Sequence, residues 1–225
     1  EDVSELAAAA HEVGAWLHVD AAQCLGRVPV DISAWDADLV TLSAHKAGGP
    51  RGVGALWVRD GVSLAPLHHG GHQERNRRGG TEDVLGVVGF AAAVEAATKE
   101  LVAEAHRQRE LVTALWERIS REIPDAVRIP ERSETLPNTV LTAFPGAEGE
   151  TLLMGLDLEG IAASSGSACT AGSLEPSHVL VAMGVEARVS ESTLRFSIGP
   201  ETTARDIERL CEVLPLVVQR ARGVA

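Results

Sequence analysis

The sequence predicts an α/β protein, with a mostly parallel sheet in its first part and a smaller α+β part behind it. Two observations carry this. Helical periodicity followed by a short apolar run occurs twice early in the chain, the pattern of βα layering. A long helical stretch, from about Val84 to Glu122, then separates that pattern from a second set of strands and helices. The domain boundary falls inside this stretch, so that residues 1–98 belong to one domain and residues 99–225 to the other.

The elements follow in order. Val3 to about Val13 has helical spacing, with Leu6, Ala9, Ala10 and Val13 on one side and Gly14 as the stop. Ala15–Val19 reads as a strand, and Asp20-Ala21-Ala22-Gln23 follows at its C-terminal end. Asp38–Leu42 is a second strand, leading into Ser43-Ala44-His45-Lys46 and a Gly-Gly-Pro turn. Ala55–Val58 is a third. A loop rich in Gly, His and Arg runs from Pro66 to Thr81, with Thr81 expected to cap the helix that follows. In the second part, strands are expected at Val127–Ile129, Thr139–Phe144 and Thr193–Ile198. Helices are expected at Glu150–Leu158, at Ser177–Met183 and from Thr203 onward, the last kinked at Pro215.

Composition narrows the function classes. The chain has 225 residues, 45% of them apolar, enough to bury a real core. Its formal net charge of -12 argues against a nucleic-acid backbone as a general partner. No apolar stretch is long enough to span a bilayer and no leader pattern opens the chain. Three widely spaced cysteines make neither a disulfide framework nor a zinc spacing, which fits a reducing cytoplasm. His68, His69 and His72 cluster beside Gly70 and Gly71, but no fourth ligand is spaced to join them, so no metal is expected.

Six features could carry chemistry. Lys46 is one of two lysines in a chain whose other basic side chains are arginines, and it stands at a strand exit. A primary amine forms an imine with an aldehyde and a guanidinium does not, so Lys46 is either a Schiff-base lysine or an ordinary loop residue. Asp20 also stands at a strand exit, where ligands of such sheets sit; it could pair with a protonated ring nitrogen or cap a turn. Gln23, three residues on, could bond a ring substituent. Ser43 and His45 beside a glycine turn suit a phosphate. Cys169 lies in a small, polar stretch, Ser164–Ser173, as a candidate nucleophile or a packed small residue. Cys24 and Cys211 read as packing. Arg195, in the strand-like run Thr193–Ser197, needs a carboxylate, whether substrate or an internal acid.

Taken together, these segments resemble the cysteine desulfurases, a branch of the class V aminotransferase-like pyridoxal-phosphate enzymes. The matching stretches occur in the family's order. They are His18–Gln23, Ser43–Lys46 with Gly49–Leu56, Gly70–Glu82, Ser165–Thr170 with Leu174–Leu180, and Leu194–Gly199. The Ser-Gly-Ser-Ala-Cys-Thr form resembles the long-loop subgroup that feeds iron–sulfur cluster assembly and thiolation. The resemblance implies a type I pyridoxal-phosphate transferase fold, with residues 1–98 the C-terminal portion of the cofactor domain and residues 99–225 the small domain. It implies that Lys46 holds pyridoxal 5'-phosphate covalently and moves protons, and that Asp20 meets the pyridine nitrogen and Gln23 the ring oxygen. Ser43 and His45 would bind the phosphate, and Thr81 would reach the phosphate of the neighbouring subunit of a homodimer. Arg195 would clamp the carboxylate of L-cysteine. Cys169 would take the sulfur as a persulfide, leaving L-alanine, and pass it to a sulfur-acceptor protein in the cytoplasm.

The chain departs from that pattern in three ways. Members of the family are much longer, and only their C-terminal part is matched here. A sheet cut at that point is expected to expose a long edge and an apolar face. His72 stands where a third glycine is common, and Gly79 where serine or alanine is usual. Two alternatives stay open: another class V enzyme, such as a transaminase or selenocysteine lyase, or a truncated, inactive remnant that serves at most in dimerisation or partner binding.

Overall fold

Asp2 starts the first helix, its carboxylate accepting from the Ser4 and Glu5 backbone N–H groups. The computed structural model describes residues 2–131, 135–165 and 177–223, and the chain divides into two compact units, Glu1–Glu104 and Ala105–Ala225. Helix α1 (Val3–Glu12) ends before Gly14, which has a φ of 71° that glycine adopts without strain. The apolar face expected on α1 is not the buried one: Ala7 alone is buried, while Leu6 and Val13 are exposed.

In the first unit, β1 (His18–Asp20), β2 (Leu39–Ser43) and β3 (Gly54–Val58) form a sheet in that order. The first strand begins later than expected, because Ala15 N–H still bonds the Ala10 carbonyl and Leu17 N–H goes to the Asp38 carboxylate. β1 and β2 are parallel, with Asp20 opposite Thr41. β2 and β3 are antiparallel, with Ser43 opposite Gly54. The sheet is therefore mixed: the link from residue 44 to 53 is too short for the crossover that a parallel return needs. Side chains alternate across it. Val40, with Val19 and Leu42 behind it, packs on Ala21, Ala37, Ile32 and Trp35, the last two from the short helix α2 (Ile32–Trp35). β3 is an edge strand on which Leu56 and Trp57, pointing to opposite faces, are both exposed.

A charged clasp holds the N-terminal end of β2. Asp38 is buried, and its carboxylate accepts from Leu17 N–H at 2.8 Å, lies 2.9 Å from His11 Nε2, and faces Arg59 Nε at 3.2 Å. Arg59 also donates to the Ala37 carbonyl and to Asp36, which caps α2 at a left-handed φ of 51°. The hydrogen bonds from His11 and Leu17 hold the Asp38 carboxyl below the usual carboxylate range. α1, β1, β2 and the end of β3 are thus tied at one point.

Helix α3 (Val84–Lys99) is capped by Asp83, not by Thr81 as expected: Asp83 directly precedes the first helical residue and its carboxylate accepts from Gly86 N–H at 3.0 Å. Phe90 packs on Leu25 and Ala44. The helical stretch breaks at Glu100, and α4 (Leu101–Glu122) begins anew. Ahead of α3, the loop from His68 to Gly80 is pinched where Gly79 N–H bonds the His68 carbonyl at 2.8 Å. A Cβ on Gly79 would lie 2.8 Å from the Gly70 nitrogen, so this neck requires glycine. Beyond the neck Glu74, Arg75 and Asn76 all have positive φ (47°, 55° and 66°), which is costly for non-glycine residues. Gln73 Oε1 bonds Gly80 N–H, and His72 pairs with the Asn76 side chain at 2.6 Å.

The second unit is a four-stranded antiparallel sheet of β4 (Val127–Ile129), β5 (Thr139–Ala143), β7 (Thr193–Ser197) and β6 (Ser164–Ser165), in that order. β6 falls within the stretch expected to be loop; its two residues ladder onto Arg195 and Leu194. Val140, Leu194 and Phe196 face a core shared with α4, α5 (Gly149–Leu158) and α8 (Ala204–Ala221). In α4 the buried positions Gln108, Val112, Leu115 and Ile119 follow the helical repeat. α8 opens with a reciprocal Thr203–Asp206 capping box and continues through Pro215 as one helix. On the other face, Ala143 and Ile129 pack on Leu180 of α6 (His178–Ala182), with Val189 of α7 (Ala187–Ser190) beside them.

Three measurements check these assignments. Leu214→Ala, at a fully buried position, is expected to cost about 2–5 kcal/mol in denaturant unfolding. Asp38 contributes stability that is present above the ordinary carboxylate pKa and lost as the pH falls through its lowered value. Asp38→Asn is therefore expected to lower stability by about 1.5–3 kcal/mol at pH 7, with the gap to wild type closing on the acid side of about pH 4. Gly79→Ala is expected to open the loop neck, read as faster native-state cleavage by trypsin after Arg75, Arg77 and Arg78; an unchanged rate would mean that the neck tolerates a side chain.

Candidate functional site

Parallel pairing of β1 with β2 carries their C-terminal ends to the same edge of the sheet. Asp20 closes β1. Its Oδ1 accepts from Ala22 N–H at 3.0 Å, a local turn that aims the carboxylate. Behind it Ala21 is fully buried, and its N–H extends the ladder to the Thr41 carbonyl. Gln23 is exposed on the following turn; its backbone carbonyl accepts from Arg27, and its side chain bonds nothing among the described residues.

Ser43 closes β2, and its hydroxyl lies 3.0 Å from His45 Nδ1. Residues Ala44–Ala47 form one 3-10 turn, closed by Gly48 at a φ of 84°. Ala44 is fully buried against Phe90 and Leu25, which anchors the turn while His45 and Lys46 stay exposed. A Cβ on Gly49 would meet Ala44 and Ala93 at 3.1–3.2 Å, so the turn sits tightly against α3. Lys46 makes no ion pair or hydrogen bond among the described residues. The edge thus gathers an acceptor carboxylate, a free amine, and a hydroxyl–imidazole pair, a donor set that fits an aldehyde-bearing pyridine phosphate. Thr81 is exposed and, with Asp83 taking the cap, its hydroxyl has no role in α3.

Arg195 belongs to the second unit. It is half-buried in the middle of β7, in register with Leu141 on one side and Ser164 on the other. An internal salt bridge, one of the two readings of this residue, does not form among the described residues. Ser164 and Ser165 of β6 lead into the stretch that contains Cys169, which itself lies outside the described residues. The other two cysteines are poor nucleophiles: burial pushes both thiols up, Cys24 packed beside Val40 and Cys211 in the main core. Among the described residues no cluster of acidic, histidine and cysteine side chains could hold a metal ion, and no helix is long and apolar enough to cross a membrane.

Two neighbours of Asp20 were not singled out from the sequence. His18 Nε2 lies 2.7 Å from Thr41 Oγ1. Two-residue spacing puts His18 on the Asp20 face, a signal present in the chain; its pairing with Thr41 depends on strand register.

The fold is shared with known proteins. The family profile described as "Aminotransferase class-V" matches residues 1–210. A cysteine desulfurase of Gluconacetobacter diazotrophicus is 45% identical over 223 residues, which is 99% of this chain and 56% of that protein. The cysteine desulfurase IscS of Dictyoglomus turgidum is 40% identical over 225 residues, 100% of this chain and 57% of that protein. Among solved structures, a NifS-like protein from Rickettsia africae superposes with a TM-score of 0.88 at 32% identity, covering 96% of this chain and 57% of its own. The chain therefore spans little more than half the length of the relatives it matches. With its fold shared with NifS-like proteins and its length matched almost throughout, the chain belongs to the class-V aminotransferase family.

Proposed function

We propose that this chain is the lysine- and cysteine-bearing part of a cysteine desulfurase that uses pyridoxal 5'-phosphate. The observation that carries this reading is the exposed Lys46 amine, unpaired among the described residues, beside the Ser43–His45 pair, on the sheet edge that also presents Asp20. Lys46 Nζ would hold the cofactor covalently and later return a proton to the substrate carbon. Asp20 would keep the ring nitrogen protonated, which makes the bound cofactor an electron sink. Gln23 would bond the ring oxygen, Ser43 and His45 the phosphate, and Thr81 the phosphate held by the partner subunit of a homodimer. Arg195, with no internal acid among the described residues, would take the L-cysteine carboxylate in a bidentate pair. The Cys169 thiolate would attack the substrate sulfur. The carbon–sulfur bond then breaks, the carbon takes up a proton, and the products are L-alanine and a persulfide on Cys169. A sulfur-acceptor protein of iron–sulfur cluster assembly or thiolation, in the cytoplasm, would receive that sulfur.

The exposed Leu56 and Trp57 of β3 favour a second reading, in which the chain holds the cofactor only together with further polypeptide. One experiment separates the two. Purified chain mixed with pyridoxal phosphate is expected to develop a borohydride-sensitive visible band that Lys46→Ala abolishes. Cys169→Ser is expected to keep the band and to reduce cysteine-dependent alanine formation to background. No band in a folded chain would favour the second reading, and alanine formation that survives Cys169→Ser would point to another class V activity.

A further inference from the structure

Arg27 is the only basic side chain on the turn that leaves Asp20, residues 20–28, and the candidate site leaves it unused. Along that turn Ala22 N–H goes to Asp20 Oδ1, Cys24 N–H to the Ala21 carbonyl, and Arg27 and Val28 N–H both to the Cys24 carbonyl. The Gln23 carbonyl receives no backbone donor among the described residues. In a continuing helix the Arg27 N–H would serve it, but the chain reverses at Gly26, with a φ of 73°, and that N–H turns to Cys24 instead. The Arg27 side chain supplies the missing donor: its Nη1 donates to the Gln23 carbonyl at 2.9 Å. The turn lies against α3, where a Cβ on Gly26 would come 3.0 Å from the Ala97 Cβ. Arg27 is half-buried there, burial disfavours its charge, and it forms no ion pair among the described residues. Water serves an exposed carbonyl equally well, so what the guanidinium adds at Gln23 is order.

Resting on the cofactor reading above, we propose that Arg27 is a positioning residue for Gln23, holding the backbone from which the Gln23 amide would reach the ring oxygen. The peptide unit that joins Gln23 to Cys24 is planar, and it is held at both its polar ends. Its oxygen accepts from Arg27 and its N–H donates to Ala21. The Gln23 Cα lies in that plane, so it is held in place with it. The Gln23 side chain, exposed and without a bond of its own among the described residues, then has only its own torsions to search when the ring oxygen is met. Loss of the guanidinium would free the oxygen end of the plane and leave Ala21 as its one restraint.

Backbone order is read first, by nitrogen relaxation NMR of the chain without ligand. The Gln23 and Cys24 amides are expected to be as ordered as rigid backbone, with order parameters of about 0.85. They should loosen in Arg27→Met and tighten again in Arg27→Lys, which keeps an N–H donor. Amides already loose in wild type, or unmoved by Arg27→Met, overturn the proposal whatever the cofactor does. Pyridoxal phosphate is then titrated into wild type, Gln23→Ala, Arg27→Met, Arg27→Lys and the Ala/Met double variant, following the visible band and its position. Gln23→Ala and Arg27→Met are each expected to weaken binding about 3–10-fold, the range of one hydrogen bond, and to shift the band in the same direction. The double variant should be no worse than Gln23→Ala, and Arg27→Lys should recover most of the loss. Additive losses, or wild-type binding by Arg27→Met when Gln23→Ala binds weakly, overturn the positioning role while leaving the cofactor reading intact. Wild-type binding and band in Gln23→Ala overturn it in the same way. If Lys46→Ala keeps the band, or if wild type binds nothing, the cofactor reading fails and the positioning role falls with it.

Discussion

The parallel pairing of β1 with β2 is the constraint on which the candidate site depends. In a parallel pair both strands deliver their C-terminal residues to one edge. Asp20 and the Ser43–Lys46 turn are separated by more than twenty residues of chain, yet one ladder of three register pairs makes them neighbours. The clasp around Asp38 secures the opposite end of the same strand. A buried carboxylate is tolerable only when its acceptor sites are filled, and here a backbone amide, an imidazole and a guanidinium fill them. One end of β2 is thus fixed by charge and hydrogen bonding, and the other runs into the Ala44–Ala47 turn, anchored by buried Ala44.

Several polar groups of the second unit bond inward: Thr193 to the Ser190 carbonyl, Asn138 to the Ile198 carbonyl and the half-buried Arg107 to the carbonyls around Gly199, while the buried Thr142 and Ser190 hydroxyls find no partner among the described residues. Lys46, Gln23 and Arg195 have no such partners among the described residues, although each could form ion pairs or hydrogen bonds. Burial makes the Cys24 and Cys211 thiols harder to ionise, which suits packing and not catalysis.

The second unit supports Arg195 from both sides. Its strand lies between β5 and β6, so the arginine backbone is laddered twice and cannot drift. Leu194 and Phe196 on either side of it point into the main core, and alternation turns Arg195 to the opposite face. A charged side chain between two buried apolar residues is therefore a consequence of strand period.

Most of the longer elements, the βα layering and the candidate residues were legible from local sequence, because each rests on periodicity or on the chemistry of one side chain, whereas the short α2, β6 and α7 were not. The boundaries and partners were not. The start of β1 at His18 depends on where Leu17 N–H finds its acceptor, and that acceptor is Asp38, far along the chain. The cap of α3 is Asp83 and not Thr81 because only the folded backbone says which residue precedes the first helical turn. The burial of Ala7 in place of Leu6 and Val13 depends on which face of α1 meets the rest of its unit. The pairing of Ser164–Ser165 with β7 and of His18 with Thr41 both require strand register. What the sequence by itself determined is which residues could act; which of them share an edge, and which are held by a partner, was decided by hydrogen bonds between residues distant in the chain, which no local pattern encodes.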